Sequence, residues 1–206
     1  RETMQHDLAE RLYQNGISRE KFKVNVDITP VTTTDPEIIN INYDSVLPFS
    51  IDGMDGNQYV LPKVKVEVSG RSMNEPVSEI ALDSMINQIY PKAPFAEQKF
   101  MVRAVLPERT FLEKVFLLHE EFAKPKDLIR VERMSRHMYD IGQMLKTPIA
   151  ERAINDADLY RQVVEHRRTF IGLRGFDYDT LYPATLNIIP PTSVIEQWKA
   201  DYENMR

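Results

Sequence analysis

The sequence contains no cysteine, and that absence removes a disulfide framework, an iron–sulfur centre, a thiolate zinc site and a cysteine nucleophile together. It suits a reducing compartment, so a cytoplasmic protein is the expectation. Glycine is scarce at 7 residues, and none of the glycine-rich phosphate loops of the Walker or Rossmann type occurs. A His-x-x-x-His zinc pair and a Gly-x-Ser-x-Gly elbow are missing as well, so P-loop, zincin and α/β-hydrolase chemistry have no support. The longest unbroken run of strongly apolar side chains is Val115-Phe-Leu-Leu118, far short of a membrane span. There is no excess of positive charge: 26 Lys and Arg stand against 31 Asp and Glu, a net charge of −5, so contact with nucleic acid has to come from a local basic face. An initiator Met is also missing. The chain opens on Arg1-Glu2-Thr3, already in helical sequence, which predicts that residues 1–206 are part of something longer.

What is present divides by pattern. Residues 2–15 place Met4, Leu8 and Leu12 at helical spacing with Tyr13 at the flank, and Gly16 follows as a stop. Three strand-like runs come next, at residues 22–28, 37–43 and 59–68, each alternating apolar and polar side chains over part of its length, which predicts sheet with one face buried. Thr32-Thr-Thr-Asp-Pro36 and Asp52-Gly-Met-Asp-Gly56 supply turn chemistry between them, the second with the character of a hairpin tip. Residues 78–90 read as a short helix closed by Pro91 and Pro94, and residues 99–106 as a further strand. From Pro107 the pattern turns helical. Thr110-x-x-Glu113 is a candidate capping box for a helix reaching Phe122, residues 130–146 and 156–171 form the next two, and Ser193-x-x-Glu196 caps a last one. The fold class is α+β: a small, largely antiparallel sheet with flanking helices over residues 1–106, then a helical domain over residues 107–206.

Few residues offer chemistry. The run ending at Val68 sets Val64, Val66 and Val68 on one face and Lys63, Lys65 and Glu67 on the other. Glu67 is thus either a carboxylate for a metal or phosphate site or one charge on an exposed edge strand. Asp27 has the same position on the first strand and the same ambiguity. On the helix from Phe111, His119 falls inside the apolar arc of Phe111, Leu112, Val115, Phe116, Leu118 and Phe122, and is assigned to packing. Lys114 lies at the edge of that arc, placed to reach a phosphate or to snorkel into water. Residues 130–146 carry an apolar stripe of Val131, Met134, Met138, Ile141 and Leu145. Arg133, Arg136, His137 and Asp140 lie opposite, a set that suits phosphate or nucleobase recognition, or else forms a solvated face with an Arg136–Asp140 pair. His166-Arg167-Arg168 reads as a short surface run with weak potential for RNA contact.

Pro107-Glu-Arg-Thr-Phe-Leu-Glu-Lys-Val-Phe-Leu-Leu-His-Glu120 followed by Arg133-Met-Ser-Arg-His-Met-Tyr-Asp-Ile141 resembles the AbiEii/AbiGii toxin family of bacterial nucleotidyltransferases, and Lys63-Val-Lys-Val-Glu-Val-Ser-Gly-Arg71 with Glu75-Pro76 fits the same family. The resemblance runs from the first helix to the last. It implies a nucleotidyltransferase-fold core followed by a helical domain, and a toxin of a type IV toxin–antitoxin or abortive phage infection system that transfers a nucleotide from an NTP to an RNA acceptor such as tRNA. It further implies a divalent metal, Mg or Mn, and a cognate antitoxin that acts genetically without a stable complex. On the matching positions, Glu67 is the strand carboxylate of the metal-binding set, Lys114 the lysine that meets the triphosphate and Asp140 the closing acid of the helical motif. Arg71, Thr110 and Arg136 are nucleotide contacts by the same resemblance. His137 stands where many members carry a second Asp. The family's first motif, a Gly-Gly/Ser turn with an Asp-x-Asp pair, has no match in residues 1–206, so the chain alone is expected to be inactive in transfer. The alternative is a non-catalytic nucleotide- or RNA-binding module that has lost that motif.

Overall fold

A computed structural model describes residues 2–26, 37–44, 61–69 and 76–205. Its architecture is α+β, with seven α-helices and two small antiparallel sheets among the described residues. The chain divides into two compact units, Arg1–Ser72 and Met73–Arg206.

In the first unit, helix α1 (Glu2–Gln14) ends where Gly16 takes a left-handed φ of 88°, a conformation that glycine adopts without strain. Strands β1 (Phe22–Val26), β2 (Glu37–Tyr43) and β3 (Lys63–Val68) pair antiparallel in that order, with Val24 opposite Ile41 and Ile39 opposite Val66. Successive strand residues point to opposite faces. Ile39 and Asn40 are both buried, which fits the central position of β2, and Gln5 of α1 donates its amide to the Val24 carbonyl at 2.7 Å. The valine face of β3 is less covered than its alternation predicts, since Val64 is 52% exposed. The two turn motifs, at residues 32–36 and 52–56, and Asp27 lie outside the described residues.

The second unit opens with an antiparallel pair, β4 (Val77–Leu82) and β5 (Phe100–Val105), in a register that sets Ile80 opposite Val102. The helix expected over residues 78–90 is therefore corrected: its first half is strand, because pairing with β5 overrides local propensity. Only α2 (Met85–Ile89) is helical there, started by Ser84, whose hydroxyl accepts from Asn87 N at 3.0 Å. Asn87 in turn closes the following loop by holding both the N–H and the carbonyl of Glu97.

Helix α3 (Pro107–Phe122) is the axis of the unit. It begins at Pro107, whose missing N–H costs nothing at a first helical position, so Thr110 sits inside the first turn and is not the cap. Phe111, Leu112, Val115, Phe116 and Leu118 form its buried side. Around it pack α4 (Ser135–Met144), α5 (Ile149–Asn155), α6 (Ala157–His166) and α7 (Ile195–Met205), which contribute Ile141, Ala150, Ala153, Leu159, Val163 and Trp198 to one core. The helix expected over residues 130–146 starts later, at Ser135. The one expected over residues 156–171 ends in a π-helical turn, Arg167–Ile171. Asp156 ends α5 and caps α6, its carboxylate accepting from Leu159 N at 2.9 Å. Among the described residues no helix is long and apolar enough to cross a membrane.

Candidate functional site

Helices α3 and α4 bring three of the singled-out side chains together. Lys114 leaves the edge of the apolar arc of α3, and its ammonium meets the Asp140 carboxylate of α4 at 2.9 Å. The Arg136–Asp140 pair considered from sequence is replaced by this bond between helices. His137 lies one turn before Asp140 on α4, the i, i+3 spacing that shares a helix face. Its Nδ1 is buried without a hydrogen-bond partner. Burial lowers the imidazole pKa from 6.5 to about 4, reinforced by the charges of Lys114 and Arg136, opposed by Asp140, and reinforced again by Arg130. The ring is therefore neutral at physiological pH. Arg136 is exposed, and Thr110 lies one turn before Lys114 on α3, partly buried. The cluster carries two cations, one carboxylate and one neutral imidazole, an excess of positive charge that suits an anion.

The entrance to α4 is fixed by two buried carboxylates from other helices. Glu121 of α3, 1% exposed, accepts from Arg130 N at 2.7 Å, from Arg130 Nε at 2.9 Å and Nη2 at 2.7 Å, and from Lys124 Nζ at 2.8 Å. Burial alone raises its pKa, and these bonds outweigh burial and hold it below the usual carboxylate value. Asp201 of α7 accepts from Arg133 N at 2.6 Å, Ser135 N at 3.0 Å and Ser135 Oγ at 2.5 Å, and its pKa is lowered for the same reason. A third buried acid, Glu120, binds Arg167 bidentately at 2.7 and 2.6 Å, while Glu113 takes the remaining arm of the same guanidinium. Arg167 is thus an interior clamp, and the surface assignment of His166-Arg167-Arg168 holds only for Arg168, which is exposed and paired with Asp179.

Over residues 1–206 the sequence matches the family described as Nucleotidyl transferase AbiEii toxin, Type IV TA system. The chain belongs to the AbiEii nucleotidyl transferase toxin family. No curated protein and no solved structure matches it. Arg136, His137 and Asp140 on α4 lie within the matched residues.

The sequence singles out two further positions of this AbiEii chain, Glu67 and Arg71. Glu67 is on β3 in the first unit, more than half exposed, and its carboxylate is paired with Lys65. Arg71 lies outside the described residues. Among the described residues no group of three or more His, Asp or Glu side chains is placed to hold a metal ion. His119 is a satisfied core residue, as assigned: Asn187 N donates to its Nδ1 at 2.9 Å, which leaves the proton on Nε2 to donate to Thr180 Oγ1 at 3.1 Å.

Sequence reasoning missed Glu121, Asp201 and the role of Arg167. Glu121 falls three residues after Leu118, beside an apolar arc, and an acid in such a place has to be paired. Asp201 has no local signal, because its partners are 66 and 68 residues away.

Proposed function

We propose that the α3–α4 cluster binds the phosphates of an NTP in a nucleotidyltransferase that transfers a nucleotide to an RNA acceptor such as tRNA. The observation that carries this reading is the Lys114–Asp140 bond beside a neutral His137, in a chain of the AbiEii family. Asp140 holds the ammonium in place until a phosphate oxygen competes for it. Arg136 offers a planar fork suited to a second phosphate oxygen. A carboxylate at position 137 would repel that anion, and the neutral imidazole does not. Thr110 supplies a hydroxyl one turn away, and Arg71 is kept as a nucleotide contact. Stabilisation of phosphoryl charge by such side chains is the main work a protein does in this chemistry.

Glu67, paired with Lys65 on β3, is the carboxylate that would hold magnesium or manganese. The division at residue 106 into a transferase-like core and a helical domain is part of the same proposal, as are action in the cytoplasm, RNA contact through the local Arg face, and an antitoxin that acts genetically rather than in a stable complex. A second reading, a nucleotide- or RNA-binding module without transfer, is favoured by the lack of a match to the family's Gly-Gly/Ser and Asp-x-Asp motif in residues 1–206. On either reading residues 1–206 alone are inactive in transfer, because the Gly-Gly/Ser turn and Asp-x-Asp pair have no match in them.

Incubation of the full-length protein with each labelled NTP, Mg²⁺ or Mn²⁺ and a tRNA pool separates the two. Label transfer that depends on Lys114 and Asp140 supports the enzyme. NTP binding that depends on Lys114 and Arg136 without transfer supports the binding module, and the absence of both transfer and binding refutes the proposed role of the cluster.

A further inference from the structure

We propose that Asp201, on the C-terminal helix, is a positioning residue of the phosphate site: it fixes the first turn of α4 and so sets where Arg136, His137 and Asp140 stand relative to Lys114. The proposal rests on the phosphate-binding reading above.

Helix α4 has no cap of its own. Met134, the residue before it, is in helical conformation and offers no side-chain acceptor. The helix N-terminus still needs acceptors for its free N–H groups, and a negative charge there is favoured by the helix dipole. Asp201 supplies both from α7. One carboxylate oxygen takes Arg133 N, and the other takes the Ser135 N–H and hydroxyl, so each oxygen has its own backbone donor. Between them the chain turns through Arg133 at φ 59°, a left-handed conformation that a side-chain-bearing residue keeps only where its surroundings over-determine it.

The position of Asp201 is itself fixed. Trp198, three residues earlier on α7, is buried in the core and meets Phe122 of α3 edge-to-face at 4.8 Å. A rigid path therefore runs from α3 through Trp198 to Asp201 and back to Ser135. Arg136 and His137 are the next two residues, and Asp140 is one turn further. Displacement of such groups by about 1 Å is enough to cost on the order of a hundredfold in a reaction that depends on alignment.

The test is Asp201→Asn in the full chain, an isosteric change that removes one acceptor. An amide has a single carbonyl oxygen, so its NH₂ must face either Arg133 N–H or Ser135 N–H, donor against donor. With native Trp198 fluorescence as the check on folding, the variant is expected to shift the ¹⁵N imidazole resonances of His137 and to weaken NTP binding about tenfold. Ser135→Ala, which keeps the carboxylate and both backbone donors, is expected to shift the same resonances less and to weaken binding two- to threefold. Glu196→Gln, a charge loss on the exposed side of the same helix, should change neither. A folded Asp201→Asn protein with wild-type His137 resonances and NTP affinity overturns the proposal, and so does an equal loss in Glu196→Gln. Should Asp201→Asn not fold, unchanged His137 resonances in Ser135→Ala overturn it. If the wild-type chain binds no NTP, the phosphate reading falls, and the His137 shift alone decides whether Asp201 positions α4.

Discussion

Arg167 and Arg168 are neighbours with the same side chain, and the structure assigns them opposite importance. Arg167 is buried, its guanidinium bonded twice to Glu120 and once to Glu113. Burial alone disfavours that charge, but the two acids outweigh it and raise its pKa. Arg168 is exposed, with Asp179 as its nearest partner. Arg167→Ala leaves Glu120 buried and uncompensated, which costs about 3–5 kcal/mol. Arg168→Ala removes an exposed pair and costs less than about 1 kcal/mol. The sole tryptophan, Trp198, lies in the core of the same unit, so urea titration followed by its fluorescence reads this unit directly. At roughly 2–4 °C per kcal/mol, the same variant should lower the melting midpoint by about 10 °C. Replacing the buried pair alone, Glu120→Gln with Arg167→Met, should recover most of the loss, because neither charge of that pair is then left buried and Glu113 keeps its bond from Arg109. Equal losses for the two alanine variants, or a loss under about 1 kcal/mol for Arg167→Ala, would refute the burial argument.

Asp140→Ala should lower NTP transfer or binding at least tenfold while changing stability by less than about 1 kcal/mol, since its pair with Lys114 is partly exposed; parallel activity and urea measurements check the separation. Acid should destabilise the helical unit in a defined window. His137 is neutral when folded, with a pKa of about 4, and accepts a proton near 6.5 when unfolded, so stability falls as pH drops from 6.5 to 4, by about 3 kcal/mol at most. His119 acts in the same direction. The lowered carboxylates Glu121 and Asp201 stabilise above their unfolded pKa values, and that contribution is lost as pH falls through their folded ones. His137→Gln should flatten the slope between pH 6.5 and 4, and an unchanged slope in urea titrations would show that His137 is not held neutral. Glu121→Gln should cost about 3–5 kcal/mol and speed hydrogen exchange at the Arg130 amide, which NMR reports residue by residue.

Much of this architecture is legible in side-chain spacing, and the failures have physical causes. The α3 arc is legible because Phe111, Leu112, Val115, Phe116 and Leu118 repeat at helical period and face one core. Lys114 and Asp140 are legible as candidates, but their bond to each other depends on how α3 packs on α4, and helical spacing within one element favours Arg136 as the partner instead. Residues 78–82 mislead because their strand exists only through pairing with residues 100–105. Arg167 misleads because two adjacent basic residues imply solvent, and the carboxylates that draw one of them inward lie 47 and 54 residues earlier. Asp156 hides a helix boundary by serving as the end of one helix and the cap of the next.

The ionic and polar partners of α3 nearly all lie later in the chain: Arg130, Asp140, Arg167, Thr180 and Asn187. On a ribosome α3 emerges before any of them. At synthesis rates of about 5–20 residues per second, Arg167, which pairs with Glu113 and Glu120, follows Glu120 by several seconds. The helix cannot bury its polar side until then, so the unit is committed to finishing its fold from the C-terminal end. A ribosome stalled before residue 167 would therefore display α3 as an amphipathic segment with its apolar arc uncovered, a ready substrate for chaperones.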